Sequence, residues 1–83
     1  MIDSAQCRAA RALLAWSQQD LADAARGGIV TVHQLEAGTS EPRRATLQVI
    51  RNALEAAGIE FINENGGGVG VRFRERRRDR QLE

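Results

Sequence analysis

The chain is poor in the residue types that catalysis, metal binding and cross-linking require. Its 83 residues include one cysteine, one histidine and one proline, and they include no tyrosine and no lysine. The single Cys7 excludes an internal disulfide, suits a reducing cytoplasm and is expected to pack as a small apolar residue. No carboxylates, histidines or cysteines have a spacing typical of a catalytic or metal site. We therefore expect a protein that is not an enzyme and has no cofactor or metal.

Long apolar runs are also missing. No stretch approaches the length of a membrane span, and the first residues lack the charged and then apolar layout of a secretory signal. We expect a soluble cytoplasmic protein. The formal net charge is only +1, but all 12 basic residues are arginines and half of them follow residue 70. Local patches, rather than the overall charge, must therefore decide whether nucleic acid is a partner.

A stretch in the first half of the chain predicts a helix with a well-marked start. Ser17 is a good N-cap, and Asp20, three residues later, completes a capping box. Trp16 before the cap and Leu21 within the helix have the spacing of a hydrophobic staple. These two local signals predict a helix over Gln18–Ala25.

The residues after this helix predict a tight turn and a second short helix. Residues 26–28 read Arg-Gly-Gly, and glycine accepts the positive φ that a sharp turn needs. Val32 and Leu35 then have helical spacing over Ile29–Ala37, and Gly38 is a natural stop. Two short helices joined by such a turn form a helix-turn-helix, the device with which many small repressors contact DNA.

Apolar periodicity predicts one helix on each side of this unit. The first covers about residues 4–15 and has three residues expected to face inward, Ala10, Leu13 and Leu14. The other covers about residues 43–57, and four of its apolar residues have helical spacing: Leu47, Ile50, Leu54 and Ala57. The sequence thus predicts a mainly α fold, with a domain of four to five helices over residues 1–58.

The period then changes to that of a β-hairpin over residues 59–74. Val69, Val71 and Phe73 alternate with glycine and arginine, after an apolar segment at 59–62 and a glycine-rich loop. An isolated two-stranded hairpin is marginally stable, so it must pack on the helices or pair with another copy through an open edge. We prefer it as the dimerisation element, with four candidate residues, Phe61, Val69, Val71 and Phe73.

The end of the chain, residues 75–83, is charged and expected to be frayed. The arginines between residues 72 and 80 either add contacts to DNA phosphates or are simply solvated.

Several short motifs occur in a recognisable order. They are Arg8-x-x-Arg11, Trp-Ser-Gln-x-x-Leu-Ala at 16–22, Thr-Val-x-x-Leu-Glu-x-Gly at 31–38, Pro42, and Thr-Leu-x-x-Ile-x-x-Ala-Leu-Glu at 46–55. In order and spacing, about residues 5–58 resemble the Cro-like, phage-repressor type of helix-turn-helix regulators, often called the XRE family. The resemblance implies a phage-repressor-like DNA-binding domain. It also implies a structural ion pair between Arg11 and Glu36, whose loss from either side would cost several kcal/mol.

The resemblance also indicates where phosphates would be bound. Gln18 begins the first motif helix, where its side chain and the helix amides can hold a phosphate. Arg43 and Arg44 match a place where the family supplies further phosphate contacts, although ordinary solvated charge is the alternative. Arg26 stands where most relatives have the turn glycine and has the reach to contact the backbone of DNA too.

The second motif helix is expected to lie in the major groove, with six residues towards the bases or nearby phosphates: Gly28, Ile29, Val30, Thr31, His33 and Gln34. Gln34 is the best candidate for a bidentate pair with adenine, and Thr31 for a phosphate. His33 contacts phosphate or a base, or is a plain surface residue. Gly28, Ile29 and Val30 depart from the family pattern, because their side chains have neither donors nor acceptors. Ile29 and Val30 either pack on thymine methyl groups or form an apolar patch for a protein.

The sequence therefore predicts a homodimeric, sequence-specific regulator that binds double-stranded DNA. Repression by occlusion of a near-palindromic operator is the simplest mechanism, with half-sites about one helical turn apart. The alternative is a protein-binding module, an antitoxin or antiactivator, that grips a toxin or activator with the same fold.

Overall fold

The computed structural model describes residues 2–40 and 42–75. They form four helices and a two-stranded antiparallel hairpin: α1 Ser4–Leu14, α2 Gln18–Ala25, α3 Ile29–Ala37, α4 Arg44–Ala56, β1 Ile59–Ile62 and β2 Gly70–Phe73. The predicted fold class, mainly α with a C-terminal hairpin, is confirmed. The sequence predicts four to five helices, and the described residues contain four.

Reciprocal capping fixes the first residues of α1 and α2. The predicted box at α2 is present, because the Ser17 hydroxyl accepts from the Asp20 amide at 3.0 Å and the Asp20 carboxylate accepts from the Ser17 amide at 2.9 Å. A second box, between Asp3 and Gln6, opens α1. Its Asp-x-x-Gln spacing was visible in the sequence but was not singled out.

The turn between α2 and α3 differs from the sequence expectation in one respect. Positive φ falls on Arg26, at 56°, and not on Gly27 or Gly28. Arg26 is the left-handed C-cap of α2, and its amide bonds back to the carbonyls of Ala22 and Asp23, which satisfies the last turn of the helix. Gly28 follows in an extended conformation as the N-cap of α3, without a side-chain cap.

The core lies between the four helices and one face of the hairpin. Its buried apolar residues are Ile2, Cys7, Ala10, Leu21, Ala22, Ala25, Val32, Leu35, Leu47, Ile50, Leu54, Ile59 and Phe61. The prediction that Leu13 faces inward is wrong. The face of α1 that the rest of the chain covers follows Cys7, Ala10 and the half-buried Leu14, and Leu13 lies at its margin with its side chain exposed.

The hairpin packs on α1 and α4 of its own chain. Ile59 pairs with Phe73, and Phe61 with Val71, so that these four side chains share the inner face. The Gln6 side chain links α1 to β2 by donating to the Gly70 carbonyl at 3.0 Å. The predicted alternation therefore holds within β2.

Two further expectations concern the ends and the surroundings of the chain. The predicted frayed tail at 75–83 lies outside the described residues except for Glu75, which is exposed. In the part of the chain that the structure describes, no helix is long and apolar enough to cross a membrane.

Candidate nucleic-acid interface

A buried carboxylate, that of Glu36, fixes α3 against the first two helices. It accepts from Arg11 Nε at 2.6 Å and Nη2 at 2.7 Å, from Gln18 Nε2 at 3.1 Å and from Cys7 Sγ at 3.3 Å. The Glu36 side chain is 3% exposed and that of Arg11 is 20% exposed. The ion pair that the resemblance implied is thus present, and it is the centre of a network joining α1, α2 and α3.

The network sets the protonation of its members. Burial raises the pKa of the Glu36 carboxyl, but the hydrogen bonds from Arg11, Gln18 and Cys7 outweigh burial and hold the pKa below its ordinary value. Burial, with a contribution from the neighbouring Glu36, raises the pKa of the Cys7 thiol to about 12. Cys7 therefore stays a protonated donor to a carboxylate, a role that the sequence expectation of a plain apolar residue missed.

Because its inner face is fixed, α3 presents a defined outer face. Val32, Leu35 and Glu36 point inward, and the Arg8 guanidinium adds a hydrogen bond to the Glu36 carbonyl. Five of the six residues expected to approach DNA are exposed, namely Gly28, Ile29, Val30, His33 and Gln34. The sixth, Thr31, is half-buried.

On this outer face, Gln34 has most of the side-chain hydrogen-bond donors and acceptors that remain for an outside partner. Its Oε1 accepts weakly from the Ser40 hydroxyl at 3.4 Å, and its amide donors bond to none of the described residues. The His33 side chain makes no hydrogen bond within residues 2–40 and 42–75 either. Ile29 and Val30 are exposed apolar side chains, and Val30 is 63% exposed.

Gln18 occupies the start of α2, as expected, but its side chain is partly committed. The amide Nε2 donates to Glu36, so the backbone amides and the carbonyl oxygen of the side chain are what remain for an outside partner. A phosphate at this helix start would therefore be held mainly by the backbone.

The arginines fall into two groups. Five of the eight described arginines bond to the chain itself: Arg8 and Arg74 to backbone carbonyls, and Arg11, Arg51 and Arg72 to the carboxylates of Glu36, Glu55 and Glu60. Arg26, Arg43 and Arg44 are exposed and have no ion pair or hydrogen bond through their guanidinium groups with any residue in the described ranges. Arg26 ends α2, whereas Arg43 and Arg44 begin α4, so these three cations lie on both sides of α3 along the chain.

The four residues predicted for dimerisation are not equivalent in the structure. Phe61 is buried in the core of its own chain, and Val71 and Phe73 are half-buried against that core. Val69 precedes β2 and is 44% exposed, which makes it the most accessible of the four. Contact with a second copy would therefore involve Val69 and the strand edges more than the inner face of the hairpin.

Comparison with known proteins adds no relative. No model of a known protein family matches the chain, and a search among curated proteins finds no match either. Within the described residues, no three histidine, cysteine or acidic side chains are grouped so that they could hold a metal ion. The exposed face of α3 and the three arginines that flank this helix along the chain are thus the features from which a function can be argued.

Proposed function

We propose that the protein is a sequence-specific DNA-binding regulator of the Cro-like helix-turn-helix type, acting as a homodimer on a near-palindromic operator. The observation that carries the proposal is a set of three exposed arginines, Arg26, Arg43 and Arg44, that have no side-chain partner among the described residues and flank α3 along the chain. The other five described arginines bond to a carboxylate or a carbonyl. A DNA backbone supplies phosphates at such positions.

The second helix of a helix-turn-helix lies in the major groove, and its first turns meet base edges. In this chain that helix is α3. The amide donors of Gln34 bond to no described residue and suit a bidentate contact to adenine, while Ile29 and Val30 suit the methyl groups of thymine. The proposal therefore assigns phosphate contacts to Arg26, Arg43 and Arg44 and base contacts to the face of α3.

Repression by occlusion follows as the simplest mechanism. Two copies joined through their hairpin edges would place two α3 helices in successive major grooves, about one helical turn apart. Since the DNA of a bacterial cell lies in the cytoplasm, the proposal also places the protein there.

The proposal is tested by the salt dependence of binding to a fluorescent random-sequence duplex. Arg43→Gln and Arg44→Gln should each weaken binding and reduce the slope of log K against log salt by about 1. Arg51→Gln is the matched control, because it removes the same charge from the same helix, from a side chain already paired with Glu55 at 2.9 Å. Its slope should equal that of the wild-type protein.

Equal slopes for Arg43→Gln, Arg44→Gln and Arg51→Gln would contradict the assignment of phosphate contacts. Absence of binding by the wild-type protein at low salt would overturn the proposal altogether. Circular dichroism on each variant establishes that all of them are folded.

One observation favours a second function. Ile29 and Val30 place two exposed apolar side chains at the start of α3, where polar side chains would read more bases. An antitoxin or antiactivator would bury them against a toxin or an activator. In that case a tight complex with such a protein would form at salt concentrations that abolish DNA binding.

A further inference from the structure

A small cleft separates the start of α3 from α4. It has a volume of about 200 Å³, and its walls include Ala25, Gly28, Thr31, Thr46, Val49 and Ile50. Val49, on α4, is an apolar side chain that is 47% exposed at this cleft. The cleft lies beside the proposed DNA surface and shares Gly28 and Thr31 with it.

The lining of the cleft suits an aliphatic group. Its walls are alanine, valine and isoleucine side chains and glycine backbone, and the two threonines supply the only side-chain hydroxyls. The volume is below the range of pockets that enclose a small-molecule ligand, which begins at about 300 Å³. A single branched side chain, presented by a larger molecule, fits the cleft better than a free ligand does.

Three exposed arginines adjoin lining residues of the cleft along the chain, and none of them forms an ion pair with a described residue. Arg26 stands in the chain between Ala25 and Gly27, both of which line the cleft, and Arg43 and Arg44 lie within one helical turn of Thr46. None of the lining residues is acidic. As shown above, these arginines have no partner in the described ranges. A complementary occupant is therefore negatively charged around an apolar anchor.

We propose that this cleft docks an acidic segment of a partner protein, with one aliphatic side chain inserted between α3 and α4 and carboxylates on Arg26, Arg43 and Arg44. The same arginines are those assigned to DNA phosphates. The acidic segment and DNA therefore exclude each other, and this exclusion is the part of the inference that rests on the proposed function. The partner acts as a negative regulator of DNA binding by imitating the charge of the backbone.

Other occupants fit less well. A second copy of this chain docked symmetrically at the cleft would bring two sets of three arginines together, and like charges at an interface are strongly unfavourable. The phosphates of DNA can pair with the arginines, but DNA has no flexible aliphatic group that could fill an apolar cleft. The combination of apolar cleft and unpaired cations favours an acidic peptide.

The test uses a fluorescent decapeptide made of glutamate with one central leucine, titrated with the full chain at low salt and followed by anisotropy. We expect saturable binding. Replacing the leucine by serine should weaken binding about tenfold, as expected for the loss of one buried aliphatic side chain. Val49→Gln should weaken binding to a similar extent. Leu13→Gln changes an exposed apolar side chain outside the cleft and outside the proposed DNA and dimer surfaces, and it should have no effect on peptide binding.

Unlabelled peptide should also displace a DNA duplex, and the serine peptide should do so about ten times less well. If the leucine and serine peptides bind equally, or if Val49→Gln and Leu13→Gln behave alike, the cleft is not the docking site and the inference is wrong. DNA binding by the wild-type protein is measured without peptide. If the DNA proposal fails, the wild-type protein binds the leucine peptide but not the duplex. If this inference fails, the wild-type protein binds the duplex but does not distinguish the leucine peptide from the serine peptide.

Discussion

At the residue scale, the Glu36 carboxylate joins three helices. It lies on α3, accepts from Cys7 and Arg11 on α1 and from Gln18 on α2, and is almost fully buried. A buried charge of this kind is tolerated only because it is fully paired. The orientation of α3, and with it the proposed DNA surface, depends on this one carboxylate.

The Glu36→Gln substitution keeps the size of the side chain and removes its charge. Arg11 would then be left largely buried without a counter-ion, so we expect the free energy of unfolding to fall by about 3–5 kcal/mol. Glu60→Gln is the control, because the Glu60–Arg72 pair is exposed and should be worth less than about 1 kcal/mol. Urea unfolding followed by circular dichroism measures both, and similar losses for the two variants would contradict the role given to Glu36.

The stabilisation that Glu36 provides should also depend on pH. Since folding lowers the pKa of Glu36 below its ordinary 4.5, the stabilisation is complete above that pH and is lost as pH falls through the folded-state pKa. The difference in unfolding free energy between the wild-type protein and Glu36→Gln should therefore shrink between pH 7 and about pH 3. A constant difference over that range would contradict a depressed pKa.

Cys7 should be chemically inert in the folded protein. Its thiol is fully buried and its pKa is raised from 9.0 to about 12, so the thiolate is rare at neutral pH. The associated stabilisation is complete below pH 9 and declines as pH rises towards 12. At pH 8, iodoacetamide should label the native protein about 10³-fold more slowly than the urea-unfolded chain, as mass spectrometry would show. Comparable rates would place the thiol at the surface.

At the scale of the elements, the turn between α2 and α3 carries both strain and charge. Arg26 holds φ at 56°, a conformation that costs an ordinary residue about 1–2 kcal/mol and glycine nothing. The strained residue is also one of the three arginines whose side chains have no partner within the described ranges. Two glycine variants can therefore separate the effect on stability from the effect on DNA binding.

Arg26→Gly should raise the free energy of unfolding by about 0.5–1 kcal/mol, because it relieves the left-handed strain. Arg44→Gly should bring no such gain, because Arg44 is the first residue of helix α4 and has no left-handed strain to relieve. Each variant loses one cation that pairs with no described residue, so both should weaken binding to random-sequence DNA. Thermal unfolding measures stability, and anisotropy measures DNA binding. If a variant binds DNA with unchanged affinity, the arginine that it lacks is not one of the proposed phosphate contacts.

Gln34 on α3 should affect sequence preference and not general affinity. Gln34→Ala should weaken binding to a preferred sequence by about 1–3 kcal/mol and leave binding to random DNA nearly unchanged. Competition experiments between the two duplexes measure this difference. A uniform loss on both would mean that Gln34 contacts a phosphate or only supports the helix.

Local signals explain which elements could be predicted from the sequence. The bounds of α2 and α3 were predicted correctly, because the capping box at Ser17 and the stop at Gly38 act within a few residues. The residue with positive φ in the turn was not predicted correctly. Two glycines follow Arg26, and which of these three residues takes a positive φ depends on how α2 ends. The donors that Gln18 and Cys7 give to Glu36 were also missed, because they form only once the helices pack.

At the scale of the whole molecule, the chain buries a small core and leaves two surfaces unexplained by its own packing. One is the outer face of α3 with Arg26, Arg43 and Arg44, and the other includes Val69 and the edges of the hairpin. The first surface suits DNA or an acidic segment, and the second suits another copy of the chain. A dimer built this way would carry two equivalent α3 helices, so its target should itself be nearly two-fold symmetric.

The most direct test of this account is selection of bound sequences from a random pool of DNA duplexes at physiological salt. The account predicts enrichment of a near-palindrome whose half-sites are about 10 base pairs apart, centre to centre. The half-sites should contain adenine and thymine, as expected for Gln34, Ile29 and Val30. A pool that remains unenriched, with binding equal on all sequences and lost at modest salt, would show only electrostatic contact and would contradict a sequence-specific regulator.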